Sequence, residues 1–215
     1  HRTVGEVSTL EFSVIVAASL AGELLGAGDR RAVGLLTVSD HKLLPTLVDQ
    51  DGSPFAPLPA PPGANGVMAA QERAVLTPPQ TGQAQLWRIL AALAPVQETS
   101  LPLAELLRTN RSVIGRRGTV VVVTPQLTTP PGEVPWTAEL LSMASSGLAS
   151  SVVLITAPDD PPESTAPIRT FLAGHDIPVQ TLQAGTRLPP ALTFRRTRKV
   201  VRSTPQGGAV SYAVE

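Results

Sequence analysis

Residues 8–40, STLEFSVIVAASLAGELLGAGDRRAVGLLTVSD, decide the fold. The stretch reads as a long helix, a tight turn and a buried strand. Ser8 and Glu11 stand in the S-x-x-E relation of a capping box, where each side chain bonds the other residue's backbone N–H. Leu10, Val14, Ala17, Ala21 and Leu24 recur at helical spacing and share one face, which is expected to be buried against a sheet. Gly26 and Gly28 supply the permissive backbone on which helices end. Residues 32–38 then form an apolar run between Asp29-Arg30-Arg31 and Ser39-Asp40. A short continuous run of this kind suits a strand covered on both faces, as in a parallel sheet.

Downstream, residues 41–48 (HKLLPTLV) suit a short edge strand, because Pro45 removes a ladder donor. Residues 49–67 carry five prolines and three glycines and are expected to be an irregular excursion. Residues 68–77 return as an edge strand. Thr81 is a plausible N-cap for a helix using Leu86, Ile89, Leu90 and Leu93. Residues 100–107 suit a short helix with Pro102 in its first turn. GTVVVVT, 118–124, is the clearest strand in the chain. A helix over 135–146 uses Trp136, Leu140, Leu141 and Met143. Strand 151–156, a helix over 164–173 ending at Gly174, and strand 178–182 follow.

This alternation predicts an α/β fold, a parallel sheet flanked by helices with right-handed crossovers. Residues 32–38, 118–123, 151–155 and 178–182 are expected as its parallel strands. Residues 1–185 form the main domain and 186–215 a C-terminal basic extension. From 177 to 214 there is no acidic residue, while Arg187, Arg195, Arg196, Arg198, Lys199 and Arg202 are basic. KVVRSTPQGGAVSYAV is expected to form a β-hairpin turning at Gln206-Gly207-Gly208. Its basic face reads as a solvated one, because only Phe194 and Tyr212 offer the aromatic stacking that nucleic acid needs.

A chain of 215 residues with 42% hydrophobic residues is large enough for a full core. Net charge is formally zero, so no global field selects nucleic acid or an anionic membrane. Cysteine is absent, which removes disulfides, thiolate ligands and a cysteine nucleophile. The most apolar segment, 10–25, is interrupted by Glu11 and Glu23 and falls short of a membrane span.

No GxSxG, HExxH or Walker motif is present. Gly22, Gly26 and Gly28 follow a helix, so they are not a dinucleotide fingerprint. His1, His41 and His175 are far apart and suit surface or capping roles. Asp49 and Asp51 precede Gly52, but Pro54 and Ala60 break calcium-loop spacing. Asp159-Asp160 read as turn residues. No catalytic residue, cofactor or metal is expected. The alternative is a hydrolase or nuclease using Asp40, Thr81 and Thr124 at the C-terminal ends of strands.

STLEFSVIVAASLAGELL, AVGLL, PPQTGQAQLWRILAALAPV, LPLAELL and GTVVVVTPQL together resemble the C-terminal half of a bacterial family, domain of unknown function number fifty-eight. That family is similar to the von Willebrand factor A domain and is commonly encoded beside MoxR-type AAA+ ATPases. The resemblance covers roughly residues 6–185 and implies a sheet in the order 3-2-1-4-5-6. Its first strand would precede the Ser8 helix and carry Asp-x-Ser-x-Ser where a metal binds. Thr81 falls where a metal-site threonine could lie, and Thr124-Pro125 replaces the usual late Asp. Strands 32–38 and 118–123 would flank the first strand. Without it they are expected to pair directly, or to be bridged by residues 1–7, the C-terminal hairpin or a second copy of the chain. The resemblance further implies a non-enzymatic interaction module whose partners are a MoxR-type ATPase and a client protein, not nucleic acid. The full-length protein would lie on the cytoplasmic side of the bacterial membrane, held by upstream segments, with this fragment itself soluble.

Overall fold

The computed structural model describes residues 8–26, 31–40, 72–99, 101–114, 118–125, 134–188, 198–203 and 209–214. At its centre are Val152, Val153, Leu154 and Ile155, consecutive and wholly buried. They belong to β4 (Ala149–Thr156). A strand exposes successive side chains to opposite faces, so burial of all four means that helices cover both faces. β3 (Thr119–Thr124) and β5 (Val179–Gln183) run parallel to β4 on either side, giving the order β3-β4-β5. The chain is therefore α/β, with a three-stranded parallel sheet flanked by helices.

Alternation along β4 assigns the two faces. Val152 and Leu154 join a cluster with Trp136, Leu140 and Met143 of α5 (Pro135–Ser145) and with Ile168 and Leu172 of α6 (Ala166–Ala173). Leu107 of α3 (Leu103–Thr109) completes that layer. Val153 and Ile155 face the other way, onto Phe12, Val16 and Leu20 of α1 (Thr9–Gly26).

Helix ends follow local chemistry. The capping box of α1 is formed: Ser8 N–H donates to Glu11 Oε2 at 3.0 Å and Glu11 N–H to Ser8 Oγ at 3.1 Å. α5 opens on Pro135 and closes with Gly147 at φ 88°. There Leu148 N–H reaches the Met143 carbonyl and Gly147 N–H the Ala144 carbonyl, the paired bonds of a Schellman motif. α6 closes the same way, but the left-handed residue is Asp176 (φ 57°), two positions beyond the expected Gly174. A one-turn 3₁₀ helix, Pro162–Thr165, leads into it. α4 (Arg111–Ile114) is a further short helix after α3.

Three expectations need correction. First, the buried face of α1 is Phe12, Val16, Leu20 and Ala21, whereas Leu10, Val14, Ala17 and Leu24 are only half-buried. The helix is apolar on more than one side. Val14, Ala17, Ala18 and Leu25 pack beside Ile89 and Leu93 of α2 (Gln83–Leu93) and beside Val33 and Leu35. Its length and mean hydropathy of 1.5 would also suffice for a membrane span, contrary to the reading of 10–25, yet two of its faces are packed against protein.

Second, strand 32–38 is not part of the parallel sheet. It forms β1 (Val33–Asp40), which pairs antiparallel with β2 (Glu72–Gln80) in a separate two-stranded ribbon. An apolar run signals burial without naming its partner, and here Gly34 permits the close approach. A Cβ at Gly34 would stand 2.7 Å from the Thr77 carbonyl oxygen. The register slips between Val33 and Leu35, opposite Pro78 and Pro79, which have no N–H to donate. Gln85 of α2 repairs the gap: its buried Nε2 donates to the Val33 and Pro78 carbonyls at 2.6 and 2.9 Å. Third, α2 is preceded by Gly82 (φ 89°) at the N-cap position, not by Thr81.

β1 and β3 thus do not pair directly. Among the described residues, β1 has only β2 beside it and β3 only β4. Near the C-terminus, β6 (Arg198–Ser203) runs antiparallel to β7 (Ala209–Val214), from Arg198↔Val214 to Ser203↔Ala209. The expected excursion 49–67, the strand 41–48 and the bridging segment 1–7 lie outside the described residues.

Candidate functional site

Open α/β sheets bind ligands beyond the carboxyl ends of their strands. Among the described residues that edge is built from Thr124-Pro125 after β3, the turn from Ala157 to Asp160 after β4, and the turn at Gly185 after β5. Its polar groups are engaged in holding the turns. Asp160 Oδ2 accepts the Ala157 N–H at 2.6 Å, and Asp160 N–H returns to the Ala157 carbonyl at 3.1 Å. Gln183 Nε2 donates to the Pro158 carbonyl at 3.1 Å, tying the β5 turn to the β4 turn. Thr156 Oγ1 donates to the Leu182 carbonyl at 3.4 Å, and Ala184 N–H to the Thr156 carbonyl at 2.8 Å. The Asp160 carboxylate is therefore a turn clamp, as its proline-rich setting suggests.

Asp40, Thr81 and Thr124 are not brought together. Asp40 pairs with Glu72 at one end of the β1–β2 ribbon, while Thr81 follows Gln80, the partner of Val33 at the other end. That separation is roughly 25 Å at ~3.3 Å per residue. Thr124 is buried and ends a strand of the other sheet. No shared reaction centre can include Asp40 and Thr81 in this arrangement. His175 lies on the surface at the end of α6, its ring edge-on to Phe171 with centroids 5.2 Å apart. His1, His41, Asp49 and Asp51 lie outside the described residues. Among the described residues, no group of three or more His, Asp or Glu side chains could hold a metal ion.

Two features were not anticipated from the sequence. A cleft of about 450 Å³ is lined by Arg108, Thr109, Arg111, Ser112, Ser146 and Leu148, among others. Arg111 donates to Ser142 Oγ (2.8 Å), the Ser142 carbonyl (3.0 Å) and Ser146 Oγ (2.7 Å). Its guanidinium thereby caps the last turn of α5, where cations are favoured. The cleft borders Leu148, just before β4, and so lies at the amino-terminal end of the sheet. The second feature is apolar. Trp87 on α2 is 64% exposed, and Ile15 of α1 and Val113 of α4 are each a little under half exposed. The signal for Trp87 was present: it falls outside the Leu86, Ile89, Leu90 and Leu93 stripe.

No protein-family model matches the chain, and neither a curated protein nor a solved structure is significantly similar to it.

Proposed function

We propose that this chain is a non-enzymatic protein-interaction module of the von Willebrand factor A type, acting with a MoxR-type AAA+ ATPase in assembly or maturation of a client protein. One observation carries the reading: Trp87 stands 64% exposed on a helix whose Gln85, Ile89, Ala92 and Leu93 are buried. A large aromatic side chain on a rigid support is the residue type that most often anchors an interface. The two sheets add support for the A-type fold. α1 lies over β3 and β4 and also packs with Val33 and Leu35 of β1. The pair β2-β1 and the triple β3-β4-β5 fit the two sides of the order 3-2-1-4-5-6 around its first strand. On this reading the C-terminal basic hairpin is an appendage, and the full-length protein sits on the cytoplasmic side of a bacterial membrane through upstream segments.

The test is a pull-down of a purified MoxR-type ATPase by the immobilised chain, with and without ATP. Retention is expected. Trp87→Ala should weaken it roughly 30-fold or more, as for an interface anchor, with thermal stability unchanged. Failure of the wild-type chain to retain the ATPase in either nucleotide state overturns the reading.

A further inference from the structure

We propose that the cleft between the α3–α4 corner and the end of α5 is a binding site for a small aliphatic phosphomonoester, with Arg108 and Arg111 on the phosphate and an apolar wall along the carbon body. The site shares no residue with the Trp87 surface, so it goes beyond the interaction reading and stands or falls separately.

The cleft is built on a rigid corner. Arg108 and Thr109 end α3, while Arg111, Ser112 and Ile114 belong to α4. Asn110, buried between the two helices, holds them in place. Its Nδ2 donates to the Leu106 carbonyl at 2.8 Å, and its own carbonyl accepts the N–H groups of Val113 and Ile114, both at 3.0 Å. From this corner Arg111 reaches the last turn of α5, where Ser142 and Ser146 brace it through three hydrogen bonds. A guanidinium has five N–H donors, so the brace fixes the group and leaves donors over for a ligand. A group held in place beforehand costs less to order on binding. Thr109, Ser112 and Ser146 add hydroxyls to the lining. Buried Met143 and Leu148, with half-buried Ile114, supply the apolar wall.

Charge selects the ligand. Among the described residues the lining holds two guanidinium groups and no carboxylate, and the sequence has no Asp or Glu from 106 to 132. Such a set repels cations and favours an oxyanion. A phosphomonoester carries about −1.5 to −2 charge at neutral pH and several acceptor oxygens, which matches two guanidinium forks. A carboxylate or a phosphodiester brings only a single charge. The volume of about 450 Å³ is that of a small-ligand site, ~300–1,000 Å³, so an organic body accompanies the phosphate. The lining includes no aromatic ring on which a base could stack. Ile114, Met143 and Leu148 are open-chain side chains, and the body that fits them is aliphatic.

The probe is monobutyl phosphate, titrated into the whole chain while backbone amide shifts are followed by NMR. Saturable shifts are expected at residues 108–114 and 142–148. Methyl butyl phosphate keeps the body and loses one charge, and should bind about tenfold more weakly or worse. Inorganic phosphate lacks the body and should also bind about tenfold more weakly. Arg108→Gln, at an exposed position, should weaken monobutyl phosphate by about tenfold or more, with amide shifts away from the cleft unchanged. Arg108→Lys keeps the charge without the fork and should recover part of the loss. Equal binding of inorganic phosphate would mean an adventitious ion only and overturn the proposal. Shifts that do not saturate, or that fall outside the cleft, would overturn it too. Tighter binding of a short alanine peptide carrying one phosphoserine would assign the cleft to a phosphorylated protein and overturn the small-ligand assignment. None of these outcomes bears on retention of the ATPase, which is measured separately.

Discussion

The β3-β4-β5 sheet and the β1–β2 ribbon are held by different physics. In the parallel sheet, stability comes from apolar layers on both faces: Val152 and Leu154 toward α5 and α6, Val153 and Ile155 toward α1. The ribbon has a register slip, two prolines and a glycine contact, and its weak point is closed by the buried amide of Gln85. Burial is tolerant of detail, since any apolar side chain of suitable volume contributes. A polar pin is not, because removing it takes away the donor that its carbonyls share.

The sharpest break in this contrast should come from the sheet. Leu154→Ala empties a site with no solvent exposure and should cost about 2–5 kcal/mol in denaturant unfolding. A loss under about 0.5 kcal/mol would mean that the layers are not tightly packed. Next is Gly34→Ala. The new Cβ would meet the Thr77 carbonyl oxygen at 2.7 Å and the Pro79 nitrogen at 3.0 Å, both backbone atoms. Overpacking of this kind should cost about 1–3 kcal/mol. Hydrogen exchange should loosen β1 and β2 while β4 keeps its protection; equal loosening would show the two regions to be one cooperative unit.

Gln85→Leu keeps much of the side-chain volume but removes the donor to Val33 and Pro78. The expected loss is about 1–3 kcal/mol, again confined to the ribbon. A neutral result would mean that the carbonyls find other donors. The smallest effect should be that of Ser8→Ala, about 1 kcal/mol for a lost N-cap. Because α1 packs on both regions, it should lower the stability of sheet and ribbon together, which separates it from the two preceding variants.

The sheet was the legible half of the molecule. TVVVVT and SVVLIT are continuous apolar runs, and β3, β4 and β5 fall where such runs predict them. The ribbon was not. A run such as GLLTV looks the same whether its neighbour is parallel or antiparallel, so β1 was assigned to the wrong sheet. The face of α1 was misread for a related reason. Its apolar residues surround much of the helix, and spacing alone cannot choose between Phe12-Val16-Leu20 and Val14-Ala17-Ala21. The trio Asp40, Thr81 and Thr124 failed with the strand pairing, since a residue at a strand's end is near others only if the strands are neighbours. Gln85 and Arg111 left no sequence signal: a glutamine or arginine in a helix ordinarily faces water.

α1 is also the first described element to leave the ribosome, and its binding surface is among the last. Phe12, Val16 and Leu20 share a cluster with Leu182 and Ala184. At ~5–20 residues per second, that surface is completed on the order of 10–30 s after the helix is made. For much of that interval, until Val121, Val123, Val153 and Ile155 have been made, an 18-residue apolar helix has no sheet on which to lay its Phe12 face. The order of synthesis thus leaves an apolar surface uncovered on the nascent chain, and slow translation of its second half would lengthen that exposure.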